Sequence, residues 1–538
     1  MDIPEAMPLD LDNLTPEQGA EYLRSLKVEG TDEELQQASR EYWNHALALT
    51  LLGTYLVDFC GADIRRRIEI PELMGEDAHA HRVIDAYERM FAGKPELDIL
   101  RALGYFDRPA EPEALKLVLP EMADRKYRAA LKRLHDARLI LTKDPTQPLD
   151  CHPLVREHFA ADATREGHAR LYEHYSKQAP YRPDTLGEMT PLLYAVYHGC
   201  QAGRHQEALE DIYYDRVLRG NEFYMTKKLG AFGTDLSLLA NFFESPWTQP
   251  VTPLSPADQS WVISNAGSAL RAVGRLADAV DSMRISAEYD VESEHWANAA
   301  VSYGNLTELH LALGNLSEVV AAARQAVDFA DRSGSGFHRV IERAKLANAL
   351  HQSGDLAEAL RLFVEAERIE AEHHPEYPML DSLAGYEYCD LLFGQEWMAE
   401  VTRRASETIR KGANHYSLLS IGLDHLSLGR AHPSGSAEAT HHLDQAVDFL
   451  RRSGQLQYLP LALLARGTPH DLDEVFRIAT RSGMRLHLAD YHLASARLAL
   501  TSGDRDRARA HLEKAEALIR ETGYHRRDPD LAALRAML

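Results

Sequence analysis

The sequence predicts an all-α chain: a helical region, then three helices closed by two short extended runs, then a long superhelix of helical hairpins. Three observations carry this. Apolar residues recur at helical spacing through most of the chain. Thr15 with Gln18, and Thr31 with Glu34, each place a capping hydroxyl three residues before its returning side chain, as at a helix N-terminus. Gly274, Gly314, Gly354 and Gly394 fall 40 residues apart, the mark of a repeated supersecondary unit.

At 538 residues the chain exceeds what one hydrophobic core organises, so two to four domains or a repeat array are expected. Apolar residues at 45% and charged residues at 26% are ordinary for a folded protein. The formal net charge of −23 repels phosphate backbones and anionic lipid, which argues against nucleic-acid and membrane partners. Cys60, Cys151, Cys200 and Cys389 lie far apart with no CxxC, which fits a reducing cytoplasm and no disulfide framework. The opening "MDIPEAMPLDLDNL" lacks the regions of a signal peptide, and no stretch approaches about 18 uncharged apolar residues. A soluble, cytoplasmic protein is the expectation.

Residues 1–92 read as a helical subdomain. "NHALALTLLGTYLVDF" is apolar on most faces, and Val83, Ala86, Tyr87 and Met90 follow helical spacing in the next segment. Residues 93–165 change character. "ELDILRALGYF", "PEALKLVL" and "KYRAALKRLHDA" are three helices, followed by "RLILT", the turn "KDPTQP" and "LDCHPL". Three helices and two β runs around a turn make a winged helix. Residues 166–538 then form hairpins, with a less regular stretch over 205–260 read as two helices and a proline-rich connection.

In the hairpin array, small residues sit at fixed offsets from each turn glycine, with Gly503 heading a last clear copy. Five residues on are Ala279, Val319, Ala359, Ala399 and Ala508; twelve on are Ser286, Ala326, Ala366, Ser406 and Ala515. Seven residues before are Gly267, Thr307, Ala347 and Ala496, with Glu387 as the exception. Small side chains let antiparallel helices approach closely, and glycine takes the positive φ of the turn. The pattern resembles the tetratricopeptide repeat, whose usual period is about 34. The extra residues lengthen helices or loops.

The sequence holds no GxxxxGK[ST]; its only Gly-Lys pair, Gly93-Lys94, precedes Pro95. GxSxG, HExxH, an EF-hand loop and a strand-borne GxGxxG are also absent, so a non-enzymatic protein is predicted, with no cofactor. The adjacent pairs His373-His374 and His441-His442 project roughly 100° apart on a helix, poor geometry for joint metal ligation. His152 and His158, in "HPLVREHF", are separated by a helix-breaking proline, only Glu157 has ligand spacing to them and only one turn of helix is available, so no metal is assigned.

The order helical domain, winged helix, a histidine ending the last wing strand, then repeats resembles the C-terminal part of a STAND-type (NB-ARC-like) signal-transduction ATPase. In that family the histidine of an "MHD"-like motif contacts the phosphate of bound ADP. "CHP" at Cys151 to Pro153 stands in its place, which makes His152 the matching nucleotide-sensing residue. "NHALALTLLG" at Asn44 to Gly53 is similar to the family's "GxPLAL" segment, although Ala46 replaces the proline that packs on adenine. The resemblance runs from about Leu9 to Phe159 and implies a chain that begins just after its nucleotide-binding domain, with that domain either encoded separately or missing from a truncated gene model.

The functional expectation is a non-enzymatic signalling and regulatory module, the sensor part of such a switch, whose superhelix binds a protein or peptide. The alternative is a winged-helix transcriptional regulator reading DNA through Lys126, Arg128, Lys132, Arg133 and Arg138. His152 is expected to face a groove against the helical subdomain, and His158 to join the wing to the repeats.

Overall fold

The computed structural model describes residues 14–69, 78–412 and 417–538; most of the acidic opening stretch, residues 1–13, lies outside them. The chain divides into two compact units, Met1–Gln178 with Gln201–Gly203, and Ala179–Cys200 with Arg204–Leu538. No helix among the described residues is long and apolar enough to cross a membrane.

The first unit is α1 (Pro16–Ser25), α2 (Asp32–Glu41), α3 (Ala46–Phe59), α4 (Ala78–Met90), α5 (Pro95–Leu103), α6 (Pro112–Val118), α7 (Asp124–Asp136), α8 (Pro153–Ala160) and α9 (Arg165–Gln178). Both predicted capping boxes form: the Gln18 and Glu34 amides donate to Thr15 and Thr31 Oγ1 at 3.2 and 3.3 Å. The fully buried Tyr87 of α4 meets Thr54 of α3 at 2.8 Å, and Thr54 also reaches the carbonyl of Ala137 after α7. One shared hydroxyl thus ties three helices together.

The expected wing strands do not form as strands. Arg138 turns the chain at a φ of 60°, Leu139 and Ile140 are buried, and Leu141 is 66% exposed. What remains of the pairing is the Leu141 amide donating to the Asp150 carbonyl at 2.9 Å and an isolated bridge between Ala110 and Leu149. A chain that leaves its helix through a left-handed residue has too few aligned residues here for a ladder.

The second unit opens with α10 (Leu186–Gln201) and α11 (His205–Glu207), which runs into a π-helical segment, Ala208–Val217. After α12 (Tyr224–Lys227) and α13 (Phe232–Leu239) comes an antiparallel pair, β1 (Phe243–Ser245) and β2 (Gln249–Pro250). The π-helix and this small hairpin are additions to the helical reading of that stretch. Hairpins follow: α14 (Pro256–Ala272) with α15 (Leu276–Glu292), α16 (Trp296–Leu313) with α17 (Leu316–Ser333), α18 (Gly336–Gln352) with α19 (Leu356–His373), and α20 (Ser382–Gly394) with α21 (Met398–Gly412). Then come α22 (Leu418–Ala431) with α23 (Ala437–Arg452), α24 (Leu459–Arg466) with α25 (Pro469–Ser482), α26 (Arg485–Thr501) with α27 (Arg505–Thr522), and a last helix, α28 (Asp528–Ala536).

Gly274, Gly314, Gly354 and Gly503 occupy left-handed turns with φ between 78 and 91°. Gly394 does not. It ends helix α20, and Glu396 takes the left-handed position at φ 62°. The turn is otherwise the same: Trp397 N–H donates to Leu392 O at 3.0 Å, as Asp355 N–H donates to Leu350 O at 2.9 Å. The packing seam moves with the turn. Cys389, Val401 and Thr408 are buried at the seam positions, whereas Ala399 and Ser406 are exposed. The exception at Glu387 is therefore a matter of register, since this residue lies two places before the seam.

Candidate functional site

His152 is exposed and caps α8, its Nδ1 accepting the Leu154 amide at 3.2 Å. His45 does the same at the start of α3, accepting the Ala48 amide at 3.3 Å. Burial, and then the neighbouring His45, hold the His152 imidazole below its ordinary basicity. A neutral ring whose Nδ1 accepts carries its proton on Nε2, so His152 presents an outward N–H donor. The two motifs read from sequence, "NHALAL" and "CHP", therefore meet electrostatically.

His158 belongs elsewhere. It lies against α4: Nε2 is 3.3 Å from Glu88 and 3.6 Å from Asp85. These three ligand atoms lie within 4.8 Å of one another and are the side chains, among the described residues, grouped closely enough to hold a metal ion. The other oxygen of Glu88 takes Arg101 at 3.0 Å, and Arg101 also pairs with Asp162, so the cluster is already an ion-pair network. His442 hydrogen-bonds across the hairpin with His425 at 2.9 Å, and its ring also lies against that of its neighbour His441.

The larger feature lies inside the second unit. Its C-terminal hairpins return to the early turns: Leu456 N–H donates to Ala272 O at 2.7 Å, and Arg485 Nε to Leu313 O at 2.9 Å. Arg526 Nη1 donates to Gln352 Oε1 at 3.1 Å. The turn glycines permit this approach, because a Cβ on Gly314 or Gly354 would sit 3.0 or 3.1 Å from the Cβ of Arg485 or His525. The array closes on itself around a cavity of about 330 Å³, within the size range of small-molecule sites.

The cavity wall combines leucines (Leu311, Leu383, Leu461, Leu464, Leu486, Leu493) with buried charge. Glu308 is paired with Arg271 and, at 3.1 Å, with Lys345, and the Tyr458 hydroxyl lies 3.4 Å away. Burial opposes its charge, but the two cations prevail and bring Glu308 down to about 2. Beside it burial pushes Glu342 up to about 7. Burial, reinforced by Glu308, lifts Glu387 well above its ordinary value and favours its protonated form, and Glu387 accepts from Asn348 Nδ2 at 2.8 Å.

One turn further along α20, Asp390 takes Arg430 at 2.8 Å and both terminal nitrogens of Arg526, at 2.5 and 2.9 Å. Burial works against it, yet the two guanidinium groups hold Asp390 well below its ordinary value. Arg527 pairs with Asp490 at 2.7 Å. Two polar atoms on the wall, Gln457 Oε1 and His487 Nδ1, are buried without a hydrogen-bond partner among the described residues. His487 uses Nε2 against Gln457 O at 3.0 Å, and burial keeps the ring neutral, so its Nδ1 is an acceptor.

Sequence reasoning did not assign this site. Its one visible signal was Glu387, a carboxylate where a small residue was due.

The chain is similar to a STAND protein with a tetratricopeptide-repeat sensor. That solved structure, from Pyrococcus horikoshii, shares 15% identity at a TM-score of 0.36, with 94% of this chain and 72% of that chain covered. No family model matches the sequence, and no curated protein does.

Proposed function

We propose that this chain is the non-catalytic sensing and relay part of a STAND-type signalling switch. The repeat unit senses by taking a small ligand into its cavity, and the outer faces of the same hairpins meet a protein partner. In this reading residues 1–92 are a helical subdomain, 93–165 a winged helix and 166–538 the sensor. The Nε2–H of His152 suits a phosphate oxygen held by a nucleotide-binding domain, while Ala46 supplies no proline face for adenine. The observation that carries the reading is the cavity, because unpartnered buried acceptors cost about 1–3 kcal/mol each unless something satisfies them.

Native mass spectrometry of the full chain after incubation with a deproteinised cell extract tests it. A small-molecule adduct is expected, and Ala494→Phe, which fills the wall from α26, should abolish it. Wild-type protein without an adduct contradicts the reading. The DNA-reading alternative draws on Lys126, Arg128, Lys132 and Arg138, all exposed. Arg133 is less available, being paired with the buried Glu96 of α5. Salt-sensitive retention of duplex DNA by the full chain at about 100 mM salt would favour that alternative.

A further inference from the structure

We propose that the cavity binds a small zwitterion, of the size of a free amino acid or short peptide, with its ammonium group on Glu387 and its carboxylate on Arg430 and Arg526. The proposal deepens the ligand-cavity reading and rests on it.

Charge balance around the wall is the first argument. Arg271 and Lys345 face Glu308 and Glu342, the second of which ionises only near pH 7, and Arg527 and Arg497 are matched by Asp490 and Asp530. Two groups are left over. Arg430 and Arg526 share the single carboxylate of Asp390, which leaves one positive charge in excess. Among the described residues Glu387 is in no ion pair, Lys345 acting on it only at a distance, and Asn348 is its hydrogen-bond donor. A bound ammonium would take the place of the proton on Glu387, and that proton would leave to solvent. A bound carboxylate would supply the counter-charge that the two guanidinium groups lack.

Spacing is the second argument. Glu387 and Asp390 lie three residues apart on α20, so their side chains start about 5–6 Å from one another on one face. That separation suits a molecule whose ammonium and carboxylate are a few bonds apart. Gln457 Oε1 and His487 Nδ1 add two acceptors for the remaining N–H groups, and Leu461, Leu464 and Leu493 line the wall for an apolar side chain. A polyanion would meet Glu308, Asp490 and Asp530 on the same wall. A neutral sugar would leave both the excess guanidinium charge and Glu387 unmatched.

Isothermal titration of the full chain decides it, with the twenty free amino acids and glycylglycine as probes and with maltose and inorganic phosphate as the other arms. At least one zwitterion should bind, with proton release visible as a dependence of the heat on buffer ionisation enthalpy. Glu387→Gln keeps shape and the Asn348 contact, and should weaken binding by about tenfold or more while removing the proton release. Should that variant fail to fold, Gln457→Met should weaken the same ligand by a smaller factor. Binding of maltose or phosphate alone, binding indifferent to both substitutions, or no binding by any zwitterion overturns the proposal. An extract adduct in native mass spectrometry that is lost in Ala494→Phe would in those cases leave the sensor reading standing.

Discussion

The third and fourth hairpin turns differ by two residues, and that offset separates packing from chemistry. At the third turn Gly354 takes the left-handed conformation, and Ala347, Ala359 and Ala366 fill the seam with no measurable exposure. At the fourth the glycine stays helical and Glu396 accepts a conformation that costs a side-chain-bearing residue about 1–2 kcal/mol. The seam there is filled by Cys389, Val401 and Thr408. Glu387 is thereby moved out of the seam and onto the cavity wall, one turn from Asp390. The lesson is that the seam sets stability through small apolar contacts, while the inner face of the same helices holds buried charge that packing alone would not select.

The largest expected contrast is in pH dependence. Glu342, on the inner side of α18, holds its proton more tightly folded than unfolded, because burial pushes it up to about 7. The stability it contributes is present below about pH 4.5 and lost as pH rises through about 7. Relative to Glu342→Gln, the wild type should lose about 1.4 kcal/mol per pH unit across that window. Urea midpoints measured from pH 5 to 7 check this, and parallel curves would mean that Glu342 ionises as freely as an exposed carboxyl. No seam substitution should show such a slope.

The seam itself should respond to volume. Ala366→Leu overpacks a fully buried contact and should cost about 1–3 kcal/mol at any pH, read from the same urea midpoints. An unchanged midpoint would place Ala366 outside the seam.

Smallest, and sharpest for the register, are the turn glycines. Gly354→Ala should destabilise by about 1 kcal/mol, since φ is 91° and a Cβ would crowd His525. Gly394→Ala should stabilise by about 0.5–1 kcal/mol, because this glycine is helical and a Cβ would meet nothing within 4 Å. Glu396→Gly should also stabilise. Thermal midpoints that move the same way for Gly354→Ala and Gly394→Ala would restore the uniform 40-residue register.

Local features were legible in the sequence. The Thr15 and Thr31 boxes depend on residues three apart, and the first three turn glycines and their seam alanines depend on one hairpin each. The β runs after α7 were misread because composition favoured strands while Arg138 breaks the geometry. The contacts of His158 with Asp85 and Glu88 join distant segments, so no spacing in the sequence displays them. The cavity was invisible for the same reason. It depends on contacts such as Leu456 with Ala272 and Arg526 with Asp390, which no period in the sequence encodes. Glu387 was seen only as an irregularity.

The repeat array closes and buries its inner face, bringing together residues far apart in the chain. A double-mutant cycle on Asp390→Asn and Arg526→Gln, 136 residues apart, measures this most directly. The closed array predicts a coupling of about 1–3 kcal/mol in urea unfolding of the full chain. Additivity within about 0.5 kcal/mol would show that the two side chains do not meet and that the inner face is an open groove.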